Sequence, residues 1–564
     1  MPDTDWIERP AVGIPTHASP NSYLGEEDAA DEWVTPDKPL DTFLHTDAYR
    51  TFSRVDLSYL YGRRGTGKTS ILHMLHYEVR NSKLSDYRYA WLIDDEETYL
   101  ALTMQVRTSQ LTEYQDNELQ LFLREKWKWA FRVAAMQGVL WEARHSDGPF
   151  DENHEKIESF LTQAGLLNGE RKPSKLSALA KIVEITANEI EEADIKSLQL
   201  AGVVTRITRR LNSVDFDTAN EALTKLLAAE DTFALVLIDS LEEYNITDRI
   251  SHCNIAALLS AIADVYRVRE EKRVLVKVAL PAEIYNHLTI FSHDKIGRRF
   301  HFINWRQKDL ISFVAKRYLR RLTKPEERSG SRYQNELKAL EIAESAKAFL
   351  YQHMPSTVKT RQGVELDTLS YIVKHTQKKP RQLITILNSV LGLCEESNCS
   401  IDSLSATVIE KGIHIRSDAL VKDALDIYGR LYKDAPRIAR QTFVRRKNIF
   451  SWCDLDKFIQ QVSSLRNRAE LSADEVKEFF VEAGILGREA RRTESGNVDY
   501  VEVEYEYQVK GVLEFPNDGV AVIHPMFYDE FESKVHRRSI LFPAPYEEEE
   551  LAALRAVRVT EVGR

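Results

Sequence analysis

The residues with the clearest chemistry are Gly62-Arg63-Arg64-Gly65-Thr66-Gly67-Lys68-Thr69, spaced as G-x-x-x-x-G-K-T. Glycines at these positions let successive backbone N–H groups turn inward and cradle phosphate oxygens. A helix starting just after the loop aims its positive end at the same place. Lys68 is then spaced to reach the β- and γ-phosphates of a nucleotide, and the Thr69 hydroxyl to hold Mg²⁺. Gly62, Arg63, Arg64, Gly65, Thr66, Gly67, Lys68, Thr69 and Ser70 form the expected nucleotide-binding set. With only 22 glycines in 564 residues, a chance match is rare, and an ordinary glycine turn is the weaker alternative.

A Mg²⁺ ion on Thr69 needs an acidic partner from a neighbouring strand. Phe233-Ala234-Leu235-Val236-Leu237-Ile238 is a continuous apolar run that ends in Asp239. Such a run reads as a buried strand. It puts Asp239 at the carboxyl end, where open α/β sheets bind ligands. Ser240, Leu241, Glu242 and Glu243 follow. A carboxylate there can orient and deprotonate an attacking water, with Glu242 the first candidate and Glu243 the second. A competing reading makes Asp239 or Ser240 a helix N-cap.

The elements that must position these groups follow the same logic. Tyr59-Leu60-Tyr61 is a short apolar strand leading into the loop, and Ser70–Val79 a helix leading out. Tyr89–Ile93 reads as a second strand, Phe233–Ile238 as a third, Val274–Leu280 as a fourth and Arg299–Ile303 as a fifth. Between the second and third, Leu119, Phe122, Leu123, Trp127, Ala130, Phe131 and Ala134 recur at helical spacing within a region of roughly 116–230. Strands separated by helices imply a parallel sheet with right-handed crossovers. From Gln307 to about Gly412 the pattern is helical throughout. Further on, Val501, Val503, Tyr505, Tyr507 and Val509 alternate with Glu502, Glu504, Glu506 and Gln508, one apolar and one acidic strand face.

The order of acids after the third strand resembles the P-loop NTPases of the STAND group within the wider AAA+ type. In the NACHT branch the magnesium aspartate is followed by a small residue, then by two acids three and four positions on. Asp239, Ser240, Glu242 and Glu243 match that pattern. Ordinary AAA+ proteins place the glutamate directly after the aspartate, where this chain has Ser240. The resemblance implies an ATPase with ATP and Mg²⁺ as its ligands. It implies an arginine finger near Gly297-Arg298-Arg299-Phe300, with Arg298 and Arg299 as candidates and a surface basic cluster as the alternative. Trp305-Arg306-Gln307-Lys308-Asp309-Leu310 resembles the junction into a helical lid. Lys378-Lys379-Pro380-Arg381-Gln382 resembles the second sensor of such lids, making Arg381 a nucleotide contact. A cation at a helix start runs against the macrodipole, so an anionic partner is expected there. No first sensor is assigned at Val278-Ala279-Leu280-Pro281. The helices and hairpin near the end resemble a winged-helix module.

The expected fold is therefore α/β: a P-loop NTPase with a parallel sheet flanked by helices, a large helical insertion, a helical lid and a winged-helix-like α+β domain. Its expected parts are an amino-terminal stretch (1–38) that is a flexible arm or an extended wrap, a core (39–305) with the insertion at about 105–230, a lid (306–415), the winged-helix-like domain (416–540) and an acidic tail (541–564). A net charge of −11 gives no bulk attraction to nucleic acid. The basic stretch of Arg437, Arg440, Arg445, Arg446 and Lys447 is the local exception, and the acidic strand face argues against phosphate-backbone contact by that surface. The four cysteines form no C-x-x-C pair, so neither a zinc site nor a disulfide framework is expected. His524 is expected as a core or turn residue rather than a ligand. With no signal peptide and no apolar run of about 18 residues, a cytoplasmic protein without membrane contact is expected.

The function these features imply is a switch-type ATPase whose nucleotide state controls homo-oligomerisation or a separate effector protein. The resemblance points to bacterial anti-phage defence. A DNA- or RNA-handling AAA+ ATPase, such as a loader or transposition regulator, is one alternative. A non-hydrolysing nucleotide-binding scaffold is the other.

Overall fold

A computed structural model describes residues 6–7, 23–27, 29–33, 37–93, 115–145, 150–167, 200–239, 248–288, 299–359, 364–397, 404–495, 498–508 and 513–543. The chain divides into two compact units. A sheet unit comprises Asp47–Gly62 and Lys68–Ile303; a carboxyl-terminal unit comprises Met1–Thr46, Arg63–Gly67 and Asn304–Arg564.

The sheet unit is built on five parallel strands: β1 (Tyr59–Gly62), β2 (Tyr87–Ile93), β3 (Phe233–Ile238), β4 (Val274–Pro281) and β5 (Phe300–Phe302). Their order across the sheet is β2-β3-β4-β1-β5. The loop strand β1 thus sits inside the sheet, with β4 between it and β3. Every residue of β3 and β4 is buried, as expected of parallel strands covered on both faces. Helix α1 (Lys68–Arg80) follows the loop. The insertion contributes α2 (Asp116–His145), α3 (Glu152–Gln163), α4 (Leu200–Leu211) and α5 (Val214–Ala229), and α6 (Arg249–Arg267) leads to β4.

The helical stripe read from the sequence is the buried face of α2: Leu119, Phe122, Leu123, Trp127, Ala130, Phe131 and Ala134 are all inside. It packs on α6 and on the sheet. Trp127 Nε1 donates to Asn254 Oδ1 of α6 at 2.9 Å, so the buried indole keeps its hydrogen bond. Lys277 stands in the middle of β4, fully enclosed. Its Nζ donates to the carbonyls of Phe52, Arg54 and Leu57 at 2.7, 2.6 and 2.6 Å. That ammonium fastens the segment entering β1 to the central strand, so it fixes the root of the loop.

In the carboxyl-terminal unit, α7 (Gln307–Leu322) buries Leu310, Ala315 and Tyr318. Arg317 on this helix holds part of the stretch 1–38, in the manner of the extended wrap rather than the flexible arm. Leu24, Glu32 and Trp33 are buried, and Arg317 donates to both Glu32 oxygens at 2.6 and 2.8 Å and to the Leu24 carbonyl at 2.8 Å. One acid of that acid-rich stretch is thus the partner of a buried guanidinium. Trp6–Ile7 also pairs antiparallel with Val535–His536.

Two short strands, Thr357–Lys359 and Glu365–Asp367, interrupt the stretch expected to be helical throughout. Then come α8 (Pro380–Glu396), α9 (Ala406–Ile415), α10 (Ser417–Leu431) and α11 (Ala435–Phe443). Cys394 in α8 is disulfide-bonded, while Cys253 and Cys453 are free.

The second sheet holds β6 (Ile449–Ser451), β7 (Leu486–Ser495), β8 (Val498–Tyr505), β9 (Val520–Ile523) and β10 (Ser539–Pro543), ordered β10-β8-β7-β9-β6. Helices α12 (Trp452–Gln461) and α13 (Ala473–Glu482) precede its hairpin. The alternation read as Tyr500–Val509 ends as strand at Tyr505, and Glu506–Gln508 forms a 3₁₀ turn. Among the described residues no helix is long and apolar enough to cross a membrane.

Candidate functional site

The loop takes the shape that its glycines permit. Gly65 has φ +81° and Gly67 φ +88°, a left-handed conformation that costs other residues strain. Thr66 Oγ1 donates to Arg63 O at 2.7 Å and Trp305 Nε1 to Thr66 O at 2.9 Å, which close the turn and pin it. A Cβ at Gly65 would stand 3.3 Å from Arg381 Cβ, so the loop also needs glycine there for close approach.

Helix α1 starts at Lys68 with no acidic residue in its first turn. Its positive end is therefore not cancelled by a side chain of its own. Lys68 is buried, with Thr69 and Ser70 half-buried behind it.

On the sheet unit, Asp239 follows β3 directly and is 1% exposed. Helix α6 is capped by Asp248, whose Oδ2 accepts from Ser251 N at 2.8 Å, so Asp239 is not that helix's cap. Gly62 and Asp239 end strands two places apart on the same carboxyl edge, about 10 Å across. Glu242 and Glu243 lie outside the described residues, as does Arg298.

One acid at this edge was missed. Strand β4, which runs between β1 and β3, ends at Pro281, and Glu283 in the short helix Ala282–Tyr285 is 3% exposed. Nearby, Tyr61 Oη donates to Asn286 Oδ1 at 2.8 Å. The first acid after an apolar strand is the same signal that marks Asp239, here displaced beyond Pro281.

Arg299 stands at the other edge of the sheet. It precedes β5, and its carbonyl accepts from the N–H groups of Ser58 and Tyr59 at the start of β1. Its guanidinium lies 3.7 Å from the Tyr266 ring centroid. Burial lowers its pKa.

The carboxyl-terminal unit grips the loop's arginines, which belong to that unit. Arg64 Nη1 pairs with Asp426 at 3.1 Å. Arg63 is buried, its guanidinium 6.0 Å from the Tyr507 ring centroid. Burial raises the pKa of the neighbouring Glu506 carboxyl, while Arg63 pulls it back. Arg381 sits beside Gly65, its Nε donating to Glu27 O at 3.0 Å and its Nη1 facing Asp423 at 3.5 Å. Asp423 and Asp426 lie three residues apart on one face of α10. Arg381, expected to have an anionic partner, faces the Asp423 carboxylate.

On the acidic strand face, Glu504 of β8 pairs with Arg488 of β7 at 2.6 Å. On the other side of the same hairpin, Arg492 pairs with Asp499 at 3.1 Å. In the basic stretch, Arg440 pairs with Glu530 at 3.3 Å and Arg445 with Glu532 at 2.7 Å. His524 is a core residue: Tyr507 Oη lies 3.0 Å from its Nε2, and Met526 N donates to its Nδ1 at 3.1 Å. Burial, with Lys379 nearby, pushes its pKa down to about 3.

Within the sheet unit, an uncancelled helix start, Lys68, Thr69 and a buried aspartate fit a magnesium–nucleotide: the helix would supply N–H donors, Lys68 a cation, and Thr69 and Asp239 hard oxygen ligands.

Among curated proteins none matches the chain. Two solved structures are similar to it along its length. The ORC2 protein of Aeropyrum pernix, in its ADPNP-ADP complexes, shares 10% identity over 93% of this chain and 95% of that one, with a TM-score of 0.32. CDC6P from Pyrobaculum aerophilum shares 11% over 96% and 98%, with a TM-score of 0.28. Over residues 27–243, less than half of its length, the chain is similar to the ORC-CDC6-like family.

Proposed function

We propose that the chain is a P-loop ATPase of AAA+ type that works as a nucleotide-dependent switch. The observation that carries the ATPase reading is the shared carboxyl edge of β1, β4 and β3 in the sheet unit, where Gly62, Glu283 and Asp239 follow or end the strands. The loop N–H groups and Lys68 would hold the phosphates, and Thr69 and Asp239 would hold Mg²⁺. Bound there, the ion supplies charge neutralisation on the phosphoryl oxygens. Glu242 is the first choice for orienting the attacking water and Glu243 the second; Glu283 is a further carboxylate at the same edge. Arg298 is the better finger candidate, because Arg299 is engaged on Tyr266.

The switch reading rests on Arg64 and Arg381. Both are cations beside the loop, and both now face carboxylates of α10. A phosphate arriving at the loop would compete with Asp423 and Asp426 for them, loosening α10. That movement would control homo-oligomerisation or the release of a separate effector. The acid order at Asp239–Glu243, similar to the STAND group, favours a role in defence.

The DNA- or RNA-handling alternative is favoured by the similarity to the ORC-CDC6-like family over residues 27–243. The pairing of Arg440 and Arg445 with Glu530 and Glu532 weighs against it. ATP turnover measured with Mg²⁺ and with EDTA, with and without duplex DNA, and light scattering with and without ATP separate the readings. Mg²⁺-dependent turnover with an ATP-dependent change in mass supports the switch. DNA stimulation with a steep salt dependence supports the alternative. Tight binding with no turnover leaves only the scaffold.

A further inference from the structure

Within the sheet unit, a cavity of ≈ 230 Å³ opens between α2, α4 and α5. Three cations of α2 line it: Lys126, Lys128 and Arg132. Glu125 is the one acid of the lining, and its two oxygens accept from Lys128 Nζ at 2.8 and 3.0 Å. Part of the wall is aromatic. Trp129 and Phe216 stack with centroids 5.9 Å apart and planes at 29°. The indole is held in place because Nε1 donates to Leu211 O at 2.9 Å. Thr208 and Asn212 add a hydroxyl and an amide.

Lys126 is the unusual member. It is 1% exposed, and its Nζ has no hydrogen-bond partner among the described residues. The ammonium lies 4.9 Å from the Phe122 ring centroid, a contact worth about 1 to 2 kcal/mol. An unpaired buried cation costs more than that. Burial accordingly pushes its pKa down to about 7. A plain core position would be filled better by Met or Leu.

Size and charge select the ligand class. A cavity of about 150 Å³ holds benzene, while sites for drug-sized molecules begin near 300 Å³. The cavity is therefore matched to a single ring with one substituent and is too small for a nucleoside triphosphate. Lys128 is answered by Glu125, and Glu125, Asp217 and Glu271 act on Arg132; Lys126 is the cation left for an anion, and the Arg132 fork beside it suits a carboxylate or phosphate. We propose that this cavity binds a small organic acid bearing one planar ring, with Lys126 and Arg132 as counter-ions and Trp129–Phe216 as the stacking wall. The site uses sheet-unit residues only and stands whether or not the loop binds nucleotide.

The test is titration calorimetry on the full chain with benzoate, salicylate, nicotinate and phenyl phosphate. Benzyl alcohol serves as a neutral ring of similar size and inorganic phosphate as an anion without a ring. At least one of the four acids is expected to bind at one site per chain, with benzyl alcohol and phosphate at least about tenfold weaker. Lys126→Met should weaken the acid by about tenfold or more and raise the Tm of the ligand-free protein, because it removes an unpaired buried charge. Arg132→Gln should weaken the acid too, and keeps the test decisive if Lys126→Met does not fold. Absence of saturable binding by all four acids would overturn the site. So would equal binding of benzyl alcohol, or unchanged affinity in both variants. A lower Tm in folded Lys126→Met would make the lysine a structural group and overturn its role as counter-ion.

Discussion

The two sheets of this molecule place their charges differently. In the parallel sheet, β3 carries no charged residue and β4 carries one, Lys277. The acids Asp239 and Glu283 come only after the strands end. In the second sheet, charges sit on the strands themselves and pair across them, as Arg488 does with Glu504 and Arg492 with Asp499. A sheet covered on both faces leaves only its ends for polar work. A sheet with one face open uses its charges to pair neighbouring strands. Removing a charge at the end of a parallel strand should therefore cost chemistry, and removing one on the second sheet should cost a little stability.

The largest effect tests the first half of that contrast. Lys68→Ala should abolish nucleotide binding, and Asp239→Ala should lower Mg²⁺-dependent turnover by about a hundredfold or more while leaving the Tm nearly unchanged. Fluorescent-nucleotide titration and a phosphate-release assay read the two. Normal hydrolysis by either variant would remove the loop and β3 from the site. Glu283→Gln sharpens the comparison, because it keeps shape and removes only the charge. If Glu283 belongs to the site, turnover should fall by at least about tenfold at unchanged Tm; a fall in Tm alone would make it structural.

Lys277 is the exception within β3 and β4, and it predicts a loss of stability instead. Lys277→Met leaves three carbonyls without their donor. The expected cost is about 2 to 3 kcal/mol, read as a lower denaturant midpoint. An unchanged midpoint would mean that the segment entering β1 is fixed by other contacts.

These differences also explain what was legible beforehand. The inner strands β1, β3 and β4 could be read because two-sided burial leaves continuous apolar runs, and Asp239 because it ends one. Glu283 follows the same rule but stands beyond Pro281, displaced from the end of its strand. The partners of Arg317, Arg64 and Arg381 could not be read. Glu32, Asp426 and Asp423 lie far away in the chain, and no local pattern distinguishes them from solvated acids. The pairing of Glu504 with Arg488 could not be read for a related reason: the register that sets those two residues opposite each other is a tertiary fact.

The two units should also differ in their response to pH. His524, in the carboxyl-terminal unit, titrates near 3 when folded and near 6.5 when unfolded. Between those values the unfolded chain binds the extra proton, so this contribution to stability is lost as pH falls below about 6.5. Lys126, in the sheet unit, titrates near 7 when folded and near 10.4 when unfolded. Its contribution therefore rises as pH goes from about 7 to about 10. Thermal melts across pH should show His524→Gln reducing the acid slope and Lys126→Met reducing the alkaline one. If both variants change the same limb, the assignment of the two slopes to the two units is wrong.

The smallest effect belongs to the second sheet. Arg488 and Glu504 face each other at 2.6 Å, each about one-third exposed. A half-exposed cross-strand pair contributes roughly 0.5 kcal/mol, reduced further by salt. A double-mutant cycle with Arg488→Ala and Glu504→Ala should return a coupling of about that size at low salt. Nucleotide turnover should not change in any of the three variants, because the pair touches neither the loop nor α10. A coupling of about 2 kcal/mol or more would show instead that the second sheet buries its charges, as the parallel sheet does at Lys277, and would erase the contrast between the two.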